Sequence, residues 1–303
     1  MRYLPLLLAV GLVGCQSETV DEPVEAEAAT EAAVESVESA TPTLAAVLEA
    51  QPDDVKARYA YRNPQETIDF FGIEPGMTVL EGLPGQGWYT KILMQYLGGD
   101  GCLLVANYDL DVYPLFGFFS EERLAELEVW QEGWQAFAAE WGYDNSPETK
   151  AFHFGSMPED FAGSADVVFF PRVLHNLARF QTAGEGDFLD ATLADVYAVL
   201  KPGGVFGVVQ HRAPDDKSDE WADGSRGYLK ESFVIEQIEA AGFEYVGKID
   251  VNLNPKDQPG EDDFVWRLPP SMVTSGDNEE MRAQMQAIGE SSRMTLKFVK
   301  PAS

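Results

Sequence analysis

Basic side chains are scarce in this chain: 21 Lys and Arg stand against 51 Asp and Glu over 303 residues, for a formal net charge of −30. Nucleic acid is therefore not expected as a partner, because binding it relies on clustered basic charge. Such acidity serves solubility more readily than recognition. Cysteine is nearly absent. With only Cys15 and Cys102, no disulfide framework is expected, and Cys102 lies in an apolar strand pattern suited to a core position. No internal repeat and no apolar run long enough to span a membrane as a mature helix is present, and no metal site is expected. What the chain does have is a 45% hydrophobic composition, enough to bury a core in one large domain or two small ones.

The amino terminus has its own organisation. Arg2 is followed by an apolar run from Tyr3 to Val13 and then Gly14-Cys15, the layout of a signal peptide. Leu12-Val13-Gly14-Cys15 resembles a bacterial lipobox, which implies cleavage before Cys15 and lipidation there; the alternative is an ordinary secretory peptide with a chance cysteine. Gln16 to Pro42 carries eight acidic residues, many alanines, and no Lys, Arg or aromatic. This composition repels itself and cannot form a core, so it predicts a solvated tether or a transient Ala/Glu helix. The expected division is 1–14 signal peptide, 15–42 acidic tether and 43–303 folded domain. The expected location is the bacterial cell envelope, facing the periplasm and held to the membrane through Cys15.

The folded part turns on Thr78-Val79-Leu80-Glu81-Gly82-Leu83-Pro84-Gly85-Gln86-Gly87, an apolar strand pattern that ends in an acid and enters a glycine loop. Trp88 to Leu97 then has helical character, and Cys102 to Ala106 is a second buried strand, giving a β-α-β unit. Ahead of it, Asn63-Pro64-Gln65-Glu66 predicts a helix capped by Asn63 and stopped at Gly72. From 109 to 150 an aromatic, acidic insertion follows, with Ser120 as a helix cap and Trp130, Trp134, Phe137 and Trp141 at helical spacing. Alternation resumes with strands at Ala151–Phe154, Ala165–Phe170 and Val205–Gln210. Helices are predicted over Asp187–Leu200 and Glu231–Ala241, strands over Glu244–Val251 and Met294–Val299, and a second insertion over 252–293.

An acid before the glycines, rather than only about 20 residues after them, departs from the dinucleotide fingerprint. Tyr89 and Thr90 stand where a third glycine would be, which disfavours a nicotinamide dehydrogenase. Together with Leu200-Lys201-Pro202-Gly203-Gly204 before a late strand, the pattern resembles class I S-adenosylmethionine-dependent methyltransferases. Phe70-Phe71-Gly72-Ile73-Glu74-Pro75-Gly76-Met77, Arg172-Val173-Leu174-His175-Asn176 and His211-Arg212-Ala213 look, more narrowly, like a family of exported bacterial predicted methyltransferases. The resemblance implies a Rossmann-like α/β fold: a seven-stranded, mostly parallel sheet with helices on both faces and an antiparallel last strand. It also implies S-adenosyl-L-methionine as cofactor and a small-molecule methyl acceptor.

Carried over onto this chain, the resemblance places Glu81, Gly85 and Gly87 on the methionine and ribose side of the cofactor. Asn107 stands near the position of the ribose-binding acid, with Asp109 two residues on, and Ser156 and Met157 fall in the region that meets the adenine. Asn107 lacks the charge of the usual acid, and Leu83 replaces a glycine of the common first motif. His175 and His211, where two strands leave the sheet, are the candidate bases, or else structural histidines; His153 lies inside a strand pattern and is read as structural. Arg58, Arg62, Tyr89 and Arg212 are candidate contacts for an acidic acceptor, although Arg58 and Arg62 equally suit the offsetting of local acid. The competing reading is a non-catalytic binding protein on the same fold.

Overall fold

Val79, Leu103, Val105, Val167, Phe169 and Val209 are buried on one face of a sheet; Leu80, Leu104, Ala106, Val168, Phe170 and Val208 are buried on the other. Apolar residues at both parities are what a strand needs when helices cover both faces, and they explain the near-continuous apolar runs. The structure is a computed structural model and describes residues 42–302. The expected signal peptide, the lipidation site Cys15 and all of the acidic tether except Pro42 lie outside the described residues. No helix among the described residues is long and apolar enough to cross a membrane.

Among the described residues four helices come first: α1 (Leu44–Glu49), α2 (Asp53–Lys56), α3 (Tyr59–Arg62) and α4 (Pro64–Phe71). Strand β1 (Thr78–Gly82), helix α5 (Trp88–Leu97) and β2 (Cys102–Asn107) form the expected β-α-β unit. The first insertion is helical, with α6 (Val112–Leu115), α7 (Glu121–Glu128) and α8 (Trp130–Ala139) ahead of β3 (Glu148–His153). Then come β4 (Ala165–Pro171), α9 (Leu174–Thr182), α10 (Phe188–Val199), β5 (Leu200–His211), α11 (Glu231–Ala240) and β6 (Glu244–Ile249). Helix α12 (Glu279–Ile288) lies in the second insertion, before β7 (Arg293–Val299).

The sheet has seven strands in the order β3-β2-β1-β4-β5-β7-β6. The pairs from β3 to β5 are parallel, and β7 runs antiparallel between β5 and β6. The expected seven-stranded sheet with a reversed last hairpin is thus present. Residues of α1, α4, α5 and α8 fill the core on one face, and those of α6, α9, α10 and α11 fill it on the other. Gly207 shows how closely they pack, since a Cβ there would lie 2.6 Å from the Phe71 ring of α4.

Local expectations fared unevenly. Ser120 caps α7 through a bond accepted from the Arg123 amide, and Gly72 ends α4 in the left-handed conformation at φ 73°. Asn63 does not cap α4: its Nδ2 donates instead to the Val251 carbonyl at 2.6 Å, across the molecule. The aromatic stretch forms two helices rather than one, broken at Val129, and Trp134 is buried while Phe137 is 39% exposed. Strand β5 starts at Leu200 rather than Val205, because Ala165 at the start of β4 already pairs with Leu200.

Candidate functional site

Parallel strands end together, so the register decides which side chains share the carboxyl edge. Glu81 pairs with Val105 and Phe169, Asn107 with His153, Pro171 with Val209, and His211 with Arg293 of the antiparallel β7. The strands therefore leave the sheet at Gly82, one residue past Glu81, and at Asn107, His153, Pro171 and His211. Ligands bind at this edge in open α/β sheets.

On the β1–β2 side, the glycine loop curls from β1 into α5. Leu83 holds φ 53°, Gly85 φ 56° and Gly87 φ 77°. Leu83 thus adopts the left-handed turn that a glycine makes without steric cost, a local strain of roughly 1–2 kcal/mol. A Cβ on Gly85 would meet only the Leu83 carbonyl oxygen, 3.9 Å away, whereas one on Gly87 would strike the Trp141 indole at 2.8 Å. Space is open in front of Gly85, and Trp141 closes it behind Gly87. At the next strand end, Asn107 and Asp109 are half-buried, and Asp109 Oδ1 accepts from the Asp111 amide at 2.9 Å. Ser156 is exposed, its hydroxyl donating to the His153 carbonyl, while Met157 is half-buried against the core. His153 is buried, with Nδ1 2.8 Å from the Tyr108 carbonyl oxygen, in keeping with a structural part.

The β4–β5 side carries the electrostatics. Arg58, Arg62, Arg172, His211, Glu290 and Ser291 line a cavity of about 210 Å³, walled by Val265, Trp266, Leu268, Pro269, Pro270 and Ser271. Glu290 is its anionic centre. It pairs with Arg58 at 2.6 Å, Arg62 at 3.3 Å and Arg293 at 3.0 Å. Burial would raise its carboxyl, but Arg293, Arg62 and Arg58 hold it down to about 2. Arg62 is 3% exposed, stacks its guanidinium 4.4 Å over Trp88, and keeps a buried Nη1 with no partner. Burial, with Arg172 and Arg58 adding to it, pushes Arg62 down to about 8 against the pull of Glu290. Arg172, at φ 70°, makes no ion pair among the described residues, and its Nη1 is likewise buried and unpartnered. In a chain of net charge −30, this wall is locally cationic.

Glu81 lies just behind that wall, 1% exposed, with Oε2 accepting from the Thr90 hydroxyl at 2.6 Å. Burial pushes its carboxyl up to about 7, against the Thr90 bond and the Arg172 and Arg62 charges. The two histidines stand 5.5 Å apart, ring to ring. His211 borders the cavity, with Nδ1 2.6 Å from Ser291 Oγ. His175 sits behind it, buried, with its Nε2 3.2 Å from the Asn176 amide. Burial lowers His175 to about 4 and His211 well below the ordinary imidazole value, so both rings are neutral at physiological pH.

Of the predicted acceptor contacts, Arg58 and Arg62 meet in this cavity and two others do not. Arg212 pairs with Asp215 at 2.7 Å and Glu231 at 3.3 Å. Successive side chains alternate faces along a strand, which takes Arg212 away from His211. Tyr89 is 3% exposed and donates its hydroxyl to the Arg62 carbonyl, so it packs in the core rather than facing a ligand. Arg172, Trp266, Glu290 and Ser291 were not anticipated as site residues. Arg172 had a readable signal: it is a rare basic residue directly after an apolar strand.

No protein-family model and no curated protein matches the chain. Solved structures do match its shape. The [4+2]-cyclase SpnF superposes with a TM-score of 0.50 at 16% identity, over 80% of this chain and 81% of that one. A SAM-dependent methyltransferase from Aquifex aeolicus gives 0.45 at 18% identity, over 70% and 94%. A Burkholderia thailandensis 1,6-didemethyltoxoflavin-N1-methyltransferase with bound S-adenosylhomocysteine gives 0.44 at 16% identity, over 82% and 81%. With its strand order and its antiparallel β7, the chain has a Rossmann-like fold, shared with the [4+2]-cyclase SpnF.

Proposed function

We propose that the protein is an S-adenosylmethionine-dependent methyltransferase with a small-molecule acceptor, exported to the bacterial cell envelope and lipid-anchored through Cys15. One observation carries the reading: on a sheet of this strand order, the space in front of Gly85 is open at the carboxyl edge, next to the strand end that bears Asn107 and Asp109. A glycine loop against open space lets backbone amides approach a ligand closely, and the residues present fit the cofactor. Gly85 and Gly87 shape the loop, the Asn107 amide and Asp109 carboxylate are suited to ribose hydroxyls, and Ser156 and Met157 border the adenine side. The cofactor supplies an electrophilic methyl group on a sulfonium. The chain's own task is orientation and, for an oxygen or nitrogen acceptor, proton removal. His211 is neutral, and in the tautomer in which Nδ1 donates to Ser291 Oγ its Nε2 holds the lone pair that takes the proton.

Calorimetry of the purified protein with S-adenosylhomocysteine tests the reading directly. Binding is expected, and Gly85→Arg should remove it by filling the open space; no heat at millimolar ligand would reject the proposal. Cys15→Ser is expected to move the protein from the membrane fraction to the soluble periplasmic fraction. Unchanged membrane association would rule out the lipid anchor. A second reading, a binding protein without catalysis, draws on Asn107 in place of an acid and on Leu83 held at φ 53°. It predicts ligand binding at the carboxyl edge with no response to S-adenosylhomocysteine.

A further inference from the structure

We propose that the cavity between Arg62, Arg172 and Trp266 is a binding site for a small organic carboxylate with an apolar body, separate from the glycine loop. Arg172 is the leading observation. Its guanidinium lines the cavity, makes no ion pair among the described residues, and has a buried Nη1 without a partner. Arg172 keeps its charge at ordinary pH, burial lowering it only to about 10. Arg172 is half-buried, and a guanidinium withdrawn from water without a counter-charge is unfavourable, so such a group calls for an anion. Arg62 lines the same cavity, is 3% exposed, is committed to Glu290 through Nε at 3.3 Å, and also keeps a buried, unpartnered Nη1.

Glu290 does not meet this need. Its two oxygens are already taken by Arg58 on one side and by Arg62 and Arg293 on the other. Four arginines therefore gather around one fully ionised carboxylate, the one acid among the residues lining the cavity. Two planar guanidinium groups with free N–H donors suit a carboxylate, which accepts such donors in pairs. The remaining wall is different in kind: Val265, Trp266, Leu268, Pro269 and Pro270 offer an apolar face, suited to the hydrocarbon or ring of the ligand. At about 210 Å³ the cavity has room for a small acid. His211, between the two kinds of wall, can accept from or donate to a hydroxyl on that ligand.

Of the residues placed in the proposed reaction, His211 lines this cavity and none of Gly85, Gly87, Asn107 and Asp109 does, so the carboxylate is tested without any cofactor present. The test uses the whole protein with benzoate as the organic acid, inorganic phosphate as the bare anion, and S-adenosylhomocysteine as the competing source of a carboxylate. Calorimetry and thermal unfolding should show benzoate binding and stabilising the protein without any cofactor, with phosphate binding much more weakly. Arg172→Met should weaken benzoate by about 30-fold or more and, without ligand, raise the melting temperature, because the unpaired charge is gone. A purely structural Arg172 would instead give a lower melting temperature. No response to benzoate, equal responses to benzoate and phosphate, or unchanged benzoate affinity in Arg172→Met would each overturn the proposal. S-adenosylhomocysteine and benzoate binding together support it. Displacement of benzoate by S-adenosylhomocysteine would assign the arginines to the cofactor's amino-acid end and overturn the separate site.

Discussion

Glu290→Gln should destabilise the protein by about 3–5 kcal/mol at pH 7, the usual cost of removing one partner from a buried ion pair. The substitution keeps shape and volume but deletes the charge that Arg58, Arg62 and Arg293 share, leaving them facing one another and Arg172. The pH dependence separates this electrostatic role from a packing role. Because the folded-state pKa of Glu290 is depressed to about 2, the native state binds its proton less readily than the unfolded chain does. Its contribution is therefore fully present above the unfolded value of about 4.5 and is lost as the pH falls toward 2. From the size of the shift that contribution is on the order of 3 kcal/mol. Urea unfolding at pH 7 and pH 3 should show a large deficit for the variant at the first and a much smaller one at the second. An equal deficit at both would mean that packing, not charge, is what Glu290 provides.

Glu81→Gln should act in the opposite direction, stabilising the protein by about 3 kcal/mol at pH 8 and changing little at pH 4.5. Here the folded-state pKa is raised to about 7, above that of the unfolded chain, so between about 4.5 and 7 the native state retains a proton that the unfolded state has lost. Stability of the parent protein consequently declines as the pH rises through that window, and the decline is complete above pH 7. Glutamine mimics the protonated acid, can still accept from Thr90, and removes the slope. Chemical denaturation from pH 4.5 to 8 would reveal it, and a variant that parallels the parent across that range would show that Glu81 is not the titrating group. If Glu81 serves the cofactor as the resemblance implies, the same variant should bind S-adenosylhomocysteine more weakly. A residue that destabilises the fold while supporting binding is the trade expected of a functional site.

Much of the architecture was legible because the information for it is local. Val79–Leu80, Leu103–Val105 and Val167–Phe170 are apolar at both parities, and only a sheet covered on both faces buries such runs. The α5 and α4 boundaries followed from Pro64, Gly72 and the glycine loop, which act within a few residues of themselves. The Asn63 cap was not legible, since its amide found a better partner nearly 190 positions away. Two candidate acceptor contacts were lost for a related reason: Arg212 and Tyr89 lie close in sequence to His211 and to the glycine loop, but Arg212 is held by Glu231 and Tyr89 packs inward against the Arg62 carbonyl.

By itself, then, the sequence determined a two-faced parallel sheet, a glycine loop after β1, and histidines and arginines near the strand ends. What only the tertiary structure decided is which of them meet. The antiparallel return of β7 between β5 and β6 sets Arg293 opposite His211, and the loop just before it brings Glu290 to Arg58, 232 positions away in the chain. Local propensity carries no record of such a meeting. It arises when the sheet closes and a single carboxylate is left to neutralise several arginines, with Arg172 unpaired beside it.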